Sequence, residues 1–258
     1  MLADMADTPA RPTPRERARA ELMRDLLAAA RVRLVQDGPH QLSLRAVARD
    51  LGLASSAVYR YVDSRDALLT LLVTESYDAV GQTVEEAHRA AVAAGHDPAR
   101  TWLEVARAFR GWALGDPHAY ELIYGTPVPG YVAPPDTVAP AVRLWGVVVD
   151  VLVAARRDGT LRPAGEPFAA GDVVTDDVLA FAAARHHDGR LVEPADAARC
   201  LTLFTTLVGA LSAELFGHLK GVAADHARAF DVVVATAAAG VGLRIDLAAV
   251  WGEPGTAR

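Results

Sequence analysis

Within Ser43–Leu69, SLRAVARDLGLASSAVYRYVDSRDALL, hydroxyls and arginines recur at intervals suited to a polyanion. A short helix is expected from about Ser55 to Tyr61, with Val58 and the following Val62 turned inward. Ser55, Ser56, Ala57 and Arg60 then face out. A guanidinium can donate two parallel hydrogen bonds to guanine, and an alanine methyl can touch that of thymine. Tyr59, Tyr61 and Arg65 suit phosphate oxygens, contacts that position a protein on a duplex without reading its sequence. Ser43 and Arg45, at the start of the preceding helix, are placed for a phosphate or a base edge.

This is binding chemistry. No nucleophile elbow, glycine-rich phosphate loop or paired-carboxylate motif accompanies it, so no catalytic residue and no cofactor is expected. His186-His187-Asp188 reads as a solvated helix end, since no spaced partner set follows that would complete a metal site. The single cysteine, Cys200, excludes an intramolecular disulfide, suits a reducing cytoplasm and falls in an apolar helix, where a thiol is buried and inert.

Several elements must hold the outward residues in place. Leu44, Val47, Ala48 and Leu51 recur at i, i+3, i+4 and i+7, the stripe of a helix that Ser43 can cap and Gly52 can end. Asp63-Ser64 caps a third helix at Arg65. Two short helices joined by a tight turn, the second exposing small, hydroxyl and basic residues, make a helix-turn-helix whose second helix enters the major groove. A first long helix, Arg15 to Gln36, carries Leu22, Leu26, Ala29, Ala30, Val32, Arg33 and Leu34 as its inner stripe and is expected to cover the back of this unit.

At these residues the chain resembles the TetR family of transcriptional regulators. The family pattern is a helix of the type LxxIAxxxG, a recognition helix ending LYxHF, and then SKxxLL; here it stands as LRAVARDLG, VYRYV and SRDALL. Val62 replaces the usual Phe and Arg65 the usual Lys, keeping an apolar plug and a cation. The match covers about the first fifth of the chain. A second resemblance, carried by Asp116–Pro134 and Phe204–Leu219, is to the TetR subgroup whose C-terminal domain is called WHG. Phe204, Val208 and Gly209 stand where that subgroup shows W…HG, so only the glycine is kept.

Charge is distributed accordingly. The chain of 258 residues carries −6 overall, yet Ala10–Arg65 holds 11 Arg against 6 acids, a net +5, which leaves −11 for the rest. A cationic module on an acidic body confines polyanion binding to one face. Arg11, Arg15, Arg17 and Arg19 are expected to form a disordered basic arm. No early apolar run has signal-peptide form, and the most apolar segments, Ala141–Ala155 and Leu201–Leu219, are interrupted by charge and read as core helices, so no membrane partner is expected.

The remaining pattern is helical throughout, without strand-like alternation or internal repeats. Asp66 to about Val92 reads as one helix of about 40 Å, in the family the carrier of the mechanical signal. A break at Gly95–Pro98 suggests a domain boundary. Helices follow at Ala99–Leu114, Pro117–Tyr124, Val138–Arg157, Asp172–Ala184, Ala195–Leu219 and Asp225–Leu243, with loops at Gly125–Pro140 and Gly159–Gly171. The fold class is thus all-α: a three-helix N-terminal helix-turn-helix domain and a C-terminal helical domain for ligand binding and dimerisation. The expected division is a disordered arm at 1–14, the head at 15–65, a connecting helix and linker at 66–98, the body at 99–251 and a disordered tail at 252–258.

Aromatics gather in the body. Trp102, Phe109, Trp112, Tyr120, Tyr124, Trp145 and Phe204, with Val208 one turn beyond Phe204, serve equally as plain core or as the lining of a pocket; the resemblance favours a pocket for a largely apolar or aromatic small molecule. Arg110, His118 and Glu121 are its candidate polar groups. The last two long helices are apolar on more than one face, which predicts a homodimer through a four-helix interface including Leu203, Leu207, Leu211, Val234, Ala237 and Val241. The function expected is that of a repressor released by an effector from double-stranded DNA, at an operator made palindromic by the two heads of the dimer; an activator with the same architecture is not separated from it by sequence. The rival reading is a helical carrier or enzyme whose head no longer binds DNA.

Overall fold

Several helix starts in this chain are written as a capping residue followed by proline or acid, and the computed structural model, which describes residues 13–163, 173–185 and 193–252, places helices at those starts. Among the described residues no strand forms, so the all-α class holds. They divide into two compact units.

The first unit comprises the described residues up to Leu72, together with Pro127–Ala133. Helix α1 spans Pro14–Asp37. Thr13 caps it: its Oγ1 accepts from the Glu16 amide at 3.3 Å while Glu16 Oε2 accepts from the Thr13 amide at 2.7 Å, a reciprocal capping box. Arg15, Arg17 and Arg19 therefore lie on a helix rather than on an arm; Arg11 is outside the described residues. The inner stripe of α1 is narrower than expected. Leu26, Ala30 and Leu34 are buried, whereas Val32 is 53% exposed. Arg33 is a staple: its Nε and Nη2 each donate to Asp50 at 2.7 Å, tying α1 to α2 (Leu44–Asp50).

Ser43 occupies the N-cap of α2 but makes no side-chain capping bond, contrary to expectation. Gly52 adopts φ +67°, the left-handed conformation that lets the chain reverse after α2, and the Leu53 amide donates back to the Ala48 carbonyl at 2.9 Å. Helix α3, Ser55–Val58, is shorter than predicted; Tyr59–Tyr61 continue it as hydrogen-bonded turns, with the Tyr61 amide donating to the Val58 carbonyl at 2.9 Å. Val58 and Val62 are buried as expected. Ser64 Oγ accepts from the Ala67 amide at 3.0 Å and so caps α4, Arg65–Ala93.

Helix α4 is unbroken, and the two units divide within it, between Leu72 and Val73, not near Gly95–Pro98. The break at Gly95 ends the helix without separating compact bodies, because Val80 and Val84 already belong to the core of the second unit.

In that second unit, α5 (Pro98–Gly115), α6 (Pro117–Tyr124) and α11 (His226–Val241) start at Asp97, Asp116 and Asp225, each accepting from first-turn amides at 2.7–3.0 Å. The helix predicted from Val138 to Arg157 is broken at Val142 into α7 (Val138–Ala141) and α8 (Arg143–Arg157). Helix α8 is buried on most sides and forms the centre of the unit. Against it lie α9 (Asp176–Arg185) and α10 (Pro194–Leu215), and a short α12 (Leu247–Trp251) that the sequence pattern does not suggest packs on α11. His186-His187-Asp188 and the tail beyond Gly252 lie outside the described residues.

Arginine–carboxylate pairs cross between these helices. Arg107 bonds Asp231, Arg110 bonds Glu214, Arg143 bonds Glu85, Arg156 bonds Asp196 and Arg185 bonds Asp150, with closest contacts of 2.6–2.7 Å. Pro135–Arg157 and Pro194–Leu215 are each long and apolar enough to cross a membrane; here they are packing helices, and only 28% of the most apolar stretch of α10 is buried within the chain.

Candidate nucleic-acid interface

The three-helix head presents one end of α3 and the turn after it. Ser56, Tyr59 and Arg60 are exposed; Ser55, Ala57 and Tyr61 are half-buried beside them. Arg45, at the start of α2, is exposed, and Ser43 just before it is half-buried. The geometry follows from Val58: with this residue fully buried against α2, positions 56, 59 and 60 are rotated outward.

Two expected phosphate contacts have internal partners. The Arg65 Nη2 donates to the Pro39 carbonyl at 2.9 Å and the His40 carbonyl at 3.3 Å, and Nη1 to Asp66 at 3.2 Å. Arg65 thus fastens the start of α4 to the turn after α1. Tyr61 lies under the Arg19 guanidinium, 5.8 Å from its ring centre, a cation–π contact that brings a further arginine to this part of the head. Arg19 could not be assigned to the site from spacing, because it is brought there by the packing of α1.

In the second unit most of the aromatic set converges. Tyr124 has Tyr120, Phe109 and Phe204 at centroid distances of 5.3, 5.7 and 6.5 Å, and Trp145 lies 5.8 Å from Phe204. Trp112 stacks on Phe109 at 5.9 Å. Tyr77, on α4, joins the cluster at 6.1 Å from Tyr124; its place on the apolar stripe of α4 was the available signal for it. Trp102 is buried on α5 and is not one of these ring pairs. The Tyr120 hydroxyl, 2.7 Å from Ser212 Oγ, donates to the Val208 carbonyl at 2.8 Å, which ties Val208 to the cluster. Burial pushes the Tyr120 phenol above its ordinary pKa despite the Ser212 hydrogen bond. Burial pushes Tyr124 up further, with Tyr77 and Tyr120 adding to the effect.

The three candidate polar groups lie elsewhere. Arg110 is held by two hydrogen bonds to Glu214, at 2.8 and 2.6 Å, and by the face of Phe230. His118 and Glu121 face one another on the outside of α6, 42% and 54% exposed.

The expected dimer residues need a similar correction. Leu203, Leu207, Leu211, Val234 and Val241 are at most 5% exposed and close the core of their own chain; Ala237 alone is half-buried. The opposite faces of α10 and α11 carry the exposed apolar residues, Leu201, Val232 and Val233, with Phe216 and Val222 in the connection. A hollow of about 420 Å³ on this side is lined by Ala210, Ala213, Val222, Val232 and Val233 among others. Cys200 is buried, as expected, and burial pushes its thiol up to about 12.

Comparison with known proteins sets this geometry in context. Residues 26–72 match the family described as bacterial regulatory proteins, tetR family, and residues 102–237 match the tetracyclin repressor-like C-terminal domain. The HTH-type transcriptional regulator Rv1816 of Mycobacterium tuberculosis (strain ATCC 25618 / H37Rv) is 38% identical over 214 residues, covering 79% of this chain and 84% of that protein; HTH-type transcriptional regulator Mb1846 of Mycobacterium bovis gives the same figures. The crystal structure of SCO4313 has 33% identity and a TM-score of 0.65, over 87% of this chain and 98% of its own. PfmR, a TetR family transcriptional regulator from Thermus thermophilus, shares the fold at 15% identity, TM-score 0.52, over 86% of this chain and 100% of its own.

Proposed function

The chain belongs to the tetR family of DNA-binding transcriptional regulators, and on that footing we propose that it is a repressor released from its operator by a small, largely apolar effector. It is a regulator rather than an enzyme. The observation that carries the reading is the outward set Ser56, Tyr59 and Arg60, held by buried Val58 on the second helix of a head with net positive charge. Arg60 reads a base edge, Arg45 and Ser43 reach the backbone, and Ser55, Ser56 and Ala57 line the groove-facing side.

A homodimer follows from the outer face of α10 and α11. Leu201, Val232, Val233 and Phe216 leave an apolar surface that one chain does not close. Two copies pairing there form a four-helix interface, and two heads then meet two half-sites of a palindromic operator in the bacterial cytoplasm. The aromatic cluster around Tyr124 is the effector site. An effector that prefers one of two packings of these rings shifts the equilibrium between them, and α4, which contributes Tyr77 to the cluster and Arg65 to the head, carries the change.

The test is anisotropy titration of a labelled duplex from the region upstream of the gene, at several salt concentrations. Specific binding that weakens steeply with salt and is competed poorly by random DNA is expected. Equal affinity for both duplexes rejects the operator, and unchanged affinity with a tightly bound body ligand rejects induction.

A further inference from the structure

Three arginines of the head are held in different ways. Arg33 gives its donors to Asp50 and Asp37, and Arg65 gives its donors to the Pro39 and His40 carbonyls and to Asp66. Arg19 rests on a ring instead. Its guanidinium carbon lies 5.8 Å from the centre of Tyr61, and among the described residues it pairs with no carboxylate or carbonyl. The acid one turn earlier, Glu16, turns back to the Thr13 amide at 2.7 Å. An aromatic face attracts a guanidinium without using any of its N–H groups, so the five donors and the charge of Arg19 stay available.

The fold carries this cation to a defined place. Pro14–Ala20 are all exposed, so the first two turns of α1 stand clear of the core, and the Thr13–Glu16 capping box holds them helical. Tyr61 directly follows Arg60, one of the outward residues, and its other neighbour, Val62, is buried and fixes the backbone there. The ring stands where the family pattern has histidine, so the platform is a feature of this chain. A groove that receives α3 is edged by phosphates. An arginine set beside the groove-facing residues, and already confined by a ring, meets that edge with less side-chain freedom to lose.

We propose that Arg19, seated on Tyr61, donates to a DNA backbone phosphate at the edge of the groove that receives α3, and that Tyr61 is its positioning residue rather than a phosphate ligand. This rests on the reading of α3 as the groove helix. It adds α1 to the DNA-binding surface, and it adds one side of α1 only. Arg17 is exposed on the same turns but lies about 200° round the helix from Arg19, at 3.6 residues per turn, and carries the same charge away from the contact. Arg19 strengthens and positions the complex without reading sequence.

Salt titrations of the full chain test it, on the duplex from upstream of the gene and on a random duplex of equal length. Arg19→Gln is expected to weaken both duplexes by the same factor and to flatten the slope of log K against log salt by about 0.9 for each head bound. Arg17→Gln, which removes the same charge from the same turns, should leave the slope nearly unchanged. Tyr61→Leu should weaken both duplexes in the wild-type background but not in the Arg19→Gln background, whereas Tyr61→Phe, which keeps the ring face, should weaken neither. An unchanged slope in Arg19→Gln, or equal flattening by Arg17→Gln, overturns the contact. A loss in Tyr61→Phe as large as that in Arg19→Gln makes the hydroxyl the phosphate ligand and overturns the positioning role. If Arg60→Ala leaves discrimination between the duplexes intact while Arg19→Gln still flattens the slope, α3 is not the reader and Arg19 remains a phosphate contact. Wild type that binds neither duplex overturns both.

Discussion

The Tyr131 hydroxyl lies 3.0 Å from the Thr70 hydroxyl, which itself donates to the Asp66 carbonyl one turn earlier on α4. Sixty-one positions apart in sequence, the two residues belong to the same compact unit, because Pro127–Ala133 groups with the head while the residues on either side of it belong to the second unit. With Val128 buried in the same segment, the strand of chain after α6 is a structural part of the head. Tyr131→Phe is therefore expected to destabilise the first unit by about 1 kcal/mol, the usual net worth of one hydrogen bond. Hydrogen exchange should show the loss in α1–α3 amides. Unchanged protection there would mean that the segment rests on the head without supporting it.

Arg60 and Arg65 should separate in their effects. Arg60→Ala is expected to cost about 1–3 kcal/mol of operator binding and to relax specificity at one position, the loss of a bidentate base contact. Arg65→Ala removes the bonds to the Pro39 and His40 carbonyls, so its main effect should be a lower Tm with a parallel fall in affinity for operator and random DNA. A binding titration over a panel of single-base operator variants, with a melt of each protein, distinguishes the two. Intact discrimination in Arg60→Ala would displace Arg60 from the groove.

Two substitutions on α10 and α11 should differ sharply. Val233 is 42% exposed on the outer face, whereas Leu211 is fully buried in the core. Val233→Glu should yield a folded monomer with little operator affinity, and Leu211→Glu a protein that does not fold. Native mass spectrometry at micromolar concentration checks this. A stable wild-type monomer there, or a Val233→Glu dimer, would remove this face as the interface.

Acid should loosen the end of the chain. Burial alone would raise the Asp231 carboxyl, but hydrogen bonds from Arg107 and the Trp251 indole, with the Arg107 charge, outweigh it and hold the group below its ordinary value. A carboxyl whose folded pKa is depressed contributes stability above its unfolded pKa of about 4 and loses it as pH falls through the folded value. Wild type should thus lose stability below about pH 4, and Asp231→Asn should be weaker at pH 7 by about 1–3 kcal/mol. The figure is below that for a fully buried pair because Arg107 keeps a third of its side chain in water. The gap between the two proteins should narrow at pH 3 in urea titrations; a constant gap would show that the charge is not what matters.

The Cys200 thiol, buried and with its pKa pushed up to about 12, should resist thiol reagents in the native protein at pH 8 and react on unfolding. Rapid native labelling would show that α10 opens locally.

What the sequence alone determined is local. The stripe Leu44–Val47–Ala48–Leu51, the left-handed turn at Gly52 and the inward Val58 and Val62 lie within one short stretch, so neighbouring side chains suffice to specify the head and to turn Arg60 outward. The aspartate caps at positions 97, 116 and 225 likewise specify their helix starts from within one turn. Tertiary structure decided whatever depended on choosing among equivalent partners. Helices α10 and α11 are apolar on more than one face, and with little polar contrast between those faces packing against α5 and α8 selects Leu203, Leu207 and Leu211 for the core and leaves Leu201 and Val233 outside. Arg65 and Arg110 were legible as cations, but a cation binds whichever acceptor the fold brings to it, here two turn carbonyls and Glu214. The pairing of Tyr131 with Thr70, and the placing of Arg19 over Tyr61, are made between residues distant in sequence, where no periodicity can register them.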